Sequence, residues 1–315
     1  MTTQEIYRLA VQLGLKYDPR GEGETKHSLN LVRKKYAEMK PEERAEFDQD
    51  RLFNPYTDTR VLVDCDKGEI KKVLAGIDME GSELLLADRL GDIDLVIAHH
   101  PEGKALNNLG ITMTMQAKIN SNYGVPISLA EKSIRSRIGE VNRAVAVLNN
   151  QRFVDFAKIL KLDYLCTHSS ADNLAGAYVK SFLHSRQPET LQDLIAGLKT
   201  IPEYKKATID GNAPNIISGD PEDSCGKIAV DFTGGTSPSK EIYEALARAG
   251  IDTLITMHMK EPVLKEIQNT NLNVVIASHM ASDSLGMNLF LDELEKQGIE
   301  VIPVSGLIRV KRFQS

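Results

Sequence analysis

Histidine and aspartate recur in this 315-residue chain at positions that suit metal chemistry. Three apolar runs end in histidine: Asp94-Leu-Val-Ile-Ala-His99-His100-Pro101, Tyr164-Leu-Cys-Thr-His168 and Val274-Val-Ile-Ala-Ser-His279. The last two echo each other, because Asp172 and Asp283 each follow their histidine by four residues. Four of the seven histidines lie at these three ends, and a fifth, His258, closes Leu254-Ile-Thr-Met257 in the same manner. Imidazole nitrogen and carboxylate oxygen make up the ligand sets of hydrolytic Zn, Mn, Fe and Co sites. An aspartate four residues after a histidine lies near it on a helical turn, and a carboxylate can bridge two ions. His99 and His100 would face opposite ways inside a strand; at its end, before Pro101, both can converge. Taken singly, these residues are ordinary. A strand-end histidine is usually a structural hydrogen-bonder, and Asp172 and Asp283 stand where helix N-caps are expected. The conjunction at one sheet edge is what points to a two-metal site.

Gly234-Gly235-Thr236-Ser237, between a predicted strand and helix, offers backbone amides to a phosphate or carboxylate. As a close-packed turn it would do no chemistry. It has neither Walker nor dinucleotide spacing, and Ser169 and Ser170 beside His168 lack the glycines of a nucleophile elbow.

Positioning such residues requires strands that end together. From Arg60 onward the pattern alternates between β and α, which predicts mostly parallel sheets flanked by helices. In such sheets ligands gather at the carboxyl ends of strands. Strands are predicted at 61–63 and 70–77, joined at Asp66-Lys67-Gly68, then at 94–98, 126–129 and 164–167. Helices are predicted at 82–90, 133–148, 152–160, 174–183 and 190–198, with loops or short β structure over 201–223. A regular alternation follows: strands at 227–231, 253–256, 273–277 and 300–304, helices at 239–249, 262–268 and 283–297. Before Asn54 the spacing is helical, with Gly14 closing the first helix and a polar break over 18–25. This segment reads as a helical N-terminal extension.

Composition narrows the function. Hydrophobic residues make up 42% and charged residues 26%, aromatics only 5%, so the core is aliphatic. A net charge of −6 argues against nucleic acid, and the basic stretch Lys132 to Arg143, interrupted by Glu140, reads as a solvated helix face. Cys65, Cys166 and Cys225 are too sparse for a disulfide framework or a thiolate zinc site, which suggests the cytoplasm. No run approaches ~18 apolar residues, so neither a signal peptide nor a membrane span is expected.

The segments around His99-His100-Pro101, His168 to Asp172 and His279 to Asp283 with Gly286 resemble the NGG-one-interacting-factor-three family, also called GTP cyclohydrolase 1 type 2 homologues. The resemblance covers roughly residues 60–309. It implies two α/β domains, the first discontinuous (56–165 with 280–315), the second 166–279, beside the extension 1–55. It also implies a dinuclear centre on His99, His100, Asp172, His279 and Asp283, with His168 a further ligand or proton shuttle, and a homohexamer. The family usually has Glu where Asp283 stands and Gly-Glu where Met257-His258 stands, so His258 is a new site candidate. The expected protein binds two divalent ions (Zn, Fe, Mn, Co or Ni) and hydrolyses a phosphate- or nucleotide-like small molecule, with His168 or His258 moving the proton. No base-reading or ribose motif supports GTP. The alternative is a non-catalytic metal-binding or interaction scaffold.

Overall fold

Alternate residues of the buried strands divide between two cores. Val73, Ala75, Leu95 and Ile97 enter one cluster, while Leu74, Val96, Ala98 and Tyr164 enter another on the opposite face. A strand apolar on both faces belongs inside a helix-covered sheet. The computed structural model describes residues 1–268 and 270–313.

The strands are β1 (Thr59–Val63), β2 (Lys72–Gly76), β3 (Leu95–Ala98), β4 (Asp163–Thr167), β5 (Asn215–Ser218), β6 (Ile228–Asp231), β7 (Thr253–Thr256), β8 (Asn273–Ile276) and β9 (Glu300–Pro303). They form two mixed sheets, ordered β1-β4-β3-β2-β9 and β5-β8-β7-β6. Only the edge strands β1 and β5 run antiparallel to their neighbours; the rest are parallel. The alternation of strands and helices predicted this architecture, and β9 returns from the end of the chain to pair with β2.

The outer face of the first sheet packs on helices Gly81–Leu90 and Arg152–Leu160. Against its inner face lie Thr3–Lys16, His168–Arg186 and His279–Glu295. The latter two helices also turn Ala175, Val179, Ala281 and Leu285 toward Ile255 and Val275 of the second sheet. The far face of that sheet packs on Ile127–Val145 and Lys240–Arg248. The central helices are therefore covered on both sides and bury polar residues, Asp172 and Asp283 among them, as well as apolar ones. No helix among the described residues is long and apolar enough to cross a membrane.

Several local expectations are corrected. Residues 126–129 are no strand: Pro126 caps the helix Ile127–Val145, with Ile127 44% and Leu129 38% exposed. Residues 201–223 contain the helix Pro202–Ile209, opened by Pro202 at its first turn, and β5. β1 and β2 are not paired with each other; β1 pairs with β4 and β2 lies between β3 and β9. The polar break ends early, because a helix runs over Glu22–Glu38. Gly14 closes nothing either, since the first helix continues to Lys16. A Cβ on Gly14 would come within 2.9 Å of both Ser170 and Tyr56, so the glycine lets two helices touch.

The most consequential correction concerns the two central helices, which begin at His168 and His279 rather than at 174 and 283. They cross where Gly286 meets the Ala171 carbonyl so closely that a Cβ would collide with it. That backbone oxygen cannot swing away. Gly286→Ala is expected to destabilise the protein by about 1–3 kcal/mol, read as a lower melting temperature; an unchanged melting curve would refute the tight crossing.

Candidate metal centre

Parallel strands deliver the histidines. β4, β3 and β2 are neighbours, and their carboxyl ends carry His168, then His99 and His100, then Asp78. From the second sheet, β6, β7 and β8 end near Asp231, His258 and His279. The two carboxyl edges meet around one pocket. Backbone bonds seat the histidine pair: the His99 amide donates to Gly76 O at 2.9 Å and the His100 amide to Ile77 O at 3.0 Å.

The central helices supply the carboxylates. Because they start at the histidines, Asp172 and Asp283 sit one turn inside rather than at the N-caps, which are Thr167 and Ser278. Neither aspartate caps its own helix, so the ordinary structural role is ruled out for both. Ser278 takes a φ of 69°, a left-handed conformation that costs a non-glycine residue on the order of 1–3 kcal/mol, immediately before His279.

His99 is 1% exposed, and its Nε2 lies 3.4 Å from Asp172 Oδ1 and 3.5 Å from Asp283 Oδ1. Asp283 Oδ2 faces the other way, 3.5 Å from His100 Nε2 and 3.4 Å from His279 Nε2. The two oxygens of one carboxylate thus serve two sets of possible ligands, His99-Asp172-Asp283 and His100-His279-Asp283. A third set, His99-His100-His168, overlaps both. In each set the candidate ligand atoms lie within 4.8 Å of one another. Both ring nitrogens of His99, Asp172 Oδ1 and both oxygens of Asp283 are buried without a hydrogen-bond partner. Buried polar atoms are nearly always partnered, so a convergent group of lone pairs fits a cation.

Two further aspartates, which the sequence reading missed, orient the rings. His100 Nδ1 donates to Asp78 Oδ1 at 2.6 Å, and His168 Nδ1 to Asp58 Oδ2 at 2.9 Å. A carboxylate acceptor fixes the Nδ1–H tautomer and leaves Nε2 with its lone pair, the usual support behind a metal-binding histidine. Ser169 Oγ also donates to Asp58 at 2.7 Å. Asp78 follows a strand end and was open to the same logic as the histidines; Asp58, in a turn before β1, had no spacing signal.

The electrostatics follow from burial and proximity. Burial opposes charge on His99, yet Asp283 and Asp172 together push it up to about 10. His100 reaches about 9 against burial, through Asp283 and Asp78. Asp283, which burial alone would raise, is held well below the usual carboxylate range by His99, His100 and His279. His258 and His279 are lowered, chiefly by burial.

The remaining predicted residues are less central. His258 belongs to none of the ligand sets among the described residues; its Nδ1 is 3.2 Å from Ser237 Oγ and its ring 4.8 Å from that of His279. Gly234 and Gly235 adopt φ of 108° and 86°, and Gln116 Nε2 donates to the carbonyls of Gly234 and Thr236. Gly235 reaches the pocket wall, while a Cβ on Gly234 would strike Gln116. The next helix runs over Lys240–Arg248, with Ser239 as its N-cap.

A family model described as Duf34/NIF3 (NGG1p interacting factor 3) matches residues 148–306. A NIF3 superfamily protein from Sphaerobacter thermophilus superposes with a TM-score of 0.78 at 24% identity, over 98% of this chain and 99% of that one. Reduced HcgD from Methanocaldococcus jannaschii gives 0.52 at 16% identity, over 84% and 97%. At such identities the likeness is one of fold. No curated protein matches the chain.

Asp231, on the pocket wall, offers a test of this burial. Burial alone pushes its carboxyl up to about 7, and Tyr123 and Tyr243 are ionisable groups that feel its charge. A raised carboxyl binds its proton more tightly folded than unfolded. Its contribution is complete below about pH 4 and is lost as pH rises through about 7. Thermal melts at pH 5 and pH 8 should therefore show Asp231→Asn gaining on the parent at pH 8. An equal pH-dependent drop in both would contradict it.

Proposed function

The chain belongs to the Duf34/NIF3 family, and on that premise we propose that its pocket holds two divalent ions and hydrolyses a phosphate- or nucleotide-like small molecule. The observation that carries this reading is Asp283, buried with both oxygens unpartnered and each turned to a different histidine set. His99 and Asp172 would hold one ion and His100 and His279 the other, with Asp283 shared and His168 a further ligand beside His99 and His100. Nitrogen and oxygen donors of this kind suit Zn, Fe, Mn, Co or Ni. Bound there, paired ions supply Lewis acidity and a water nucleophile at neutral pH.

The protein's own groups would do the rest. Asp78 and Asp58 keep His100 and His168 pointed inward. His258, outside the ligand sets and beside Ser237, would move a proton at its Nε2. The family relationship also supports a homohexamer. Leu85 and Ile159, 53% and 78% exposed on the outer helices, are apolar surface of the kind assemblies cover.

Elemental analysis of the purified protein should find about two metal ions per chain. Assay against phosphomonoesters, phosphodiesters and nucleotides should find turnover that is lost in His99→Ala and Asp172→Ala. Metal without turnover on any of these substrates would favour the scaffold role; a metal-free protein with unchanged stability in chelator would end the proposal. Light scattering should give about six times the 34.9 kDa of one chain, and a monomer mass would exclude the hexamer.

A further inference from the structure

The chamber beside the candidate ligands is too small for an organic substrate. Bounded by His168, Asp172, His258, His279 and Asp283, it measures about 40 Å³, far below the ~300–1,000 Å³ of small-molecule sites. A cavity of about 920 Å³ adjoins it, with Asp172, Phe232 and Thr233 in the walls of both. That volume lies at the upper end of small-molecule sites.

Its walls have a definite chemistry. Asp172, Gly176, Lys180 and His184 stand one turn apart along the helix His168–Arg186, so the cavity follows that helix away from the histidines. Across from them lie Tyr123 and the segment from Lys16 to Gly21. The Tyr123 hydroxyl donates to the Val230 carbonyl at 3.2 Å and accepts from the Val230 amide at 3.1 Å, which fixes its ring. Lys180 Nζ lies 5.8 Å from that ring's centroid, and Lys16 Nζ lies 5.2 Å from that of Tyr17. Both lysines are exposed and keep their ammonium groups at the cavity's edge. Arg20 is a different case. Asp18 holds it with two bonds of 2.9 and 2.7 Å and also accepts from the Tyr56 hydroxyl, so that charge is spent within the wall. With Asp172 committed to a metal, the remaining lining charge is positive and stands beside aromatic faces.

We propose that this cavity binds the body of an anionic, ring-bearing substrate of nucleotide size and presents its reactive group at Asp172. A fixed ring and apolar wall favour a planar group, and two lysines on flexible stems favour an anion such as phosphate. The inference rests on the metal-centre reading for the direction in which the substrate points; occupancy of the cavity does not depend on turnover.

Calorimetric titration of the full metal-loaded chain with adenosine 5′-monophosphate tests it, with adenosine and inorganic phosphate as separate probes. The nucleotide should bind more tightly than either part. Ala177→Trp, which fills the cavity, and Lys180→Glu, which reverses an edge charge, should each weaken binding about tenfold or more at unchanged metal content. Lys180 is exposed, so its variant remains informative even where the tryptophan variant does not fold. Equal nucleotide affinity in the parent and Lys180→Glu, no binding at millimolar nucleotide, or phosphate alone binding as well as the nucleotide would each overturn the proposal. Nucleotide binding without hydrolysis would sink the hydrolase reading and leave the cavity assignment standing. Turnover of small phosphate esters with no nucleotide binding would do the reverse.

Discussion

Two carboxylates buried side by side set the terms for the rest of the structure. Asp172 and Asp283 are 3% and 1% exposed, and neither charge can be left unanswered in such surroundings. The answer comes from imidazoles at strand ends: His99 and His100 after β3, and His279 after β8. For those rings to arrive, β3 and β4 must run parallel and end level; for the carboxylates to meet them, two helices must cross without a side chain between. Gly286 against Ala171 provides the crossing. Removing one partner from such a cluster leaves an uncompensated buried charge, which is far more costly than the cluster itself is stabilising. The arrangement is therefore maintained by what its failure would cost.

A second tier depends on the first. Asp78 and Asp58 are half-exposed and buried respectively, and both are held low mainly because they face histidines, against the opposing effect of burial. Each spends an oxygen on an Nδ1–H. Both rings are thereby oriented by folding rather than by binding.

The legible parts of this design were those with local sequence signatures. Parallel buried strands read as continuous apolar runs, so the ends at His99, His168 and His279 stood out. Distances between segments were not legible. His168-Ser-Ser-Ala and His279-Met-Ala-Ser resembled turns leading to an N-cap; packing against both sheets extended the helices backward through them, because short side chains there allow close approach. Asp58 is brought to His168 by the antiparallel edge strand β1, a pairing that spans 108 residues between Thr59 and Thr167 and leaves no trace in spacing. The large cavity was invisible for the same reason, being assembled from pieces of four remote segments. The glycine turn has a contact that no local pattern could indicate: its carbonyls at Gly234 and Thr236 accept from Gln116, which is remote in sequence.

The pairing of β9 with β2 bears on biosynthesis. Val73 and Val301 are partners across the sheet although they are 228 positions apart. The first sheet cannot be completed until Glu300–Pro303 has left the ribosome, and His279 and Asp283 emerge only shortly before it. Topologies with such remote pairings fold slowly, since loop closure must precede the contacts that reward it. A nascent chain thus displays His99, His100 and Asp172 well before their partners exist. An ion held by this pocket would therefore be selected by the finished geometry rather than by the affinity of exposed histidines.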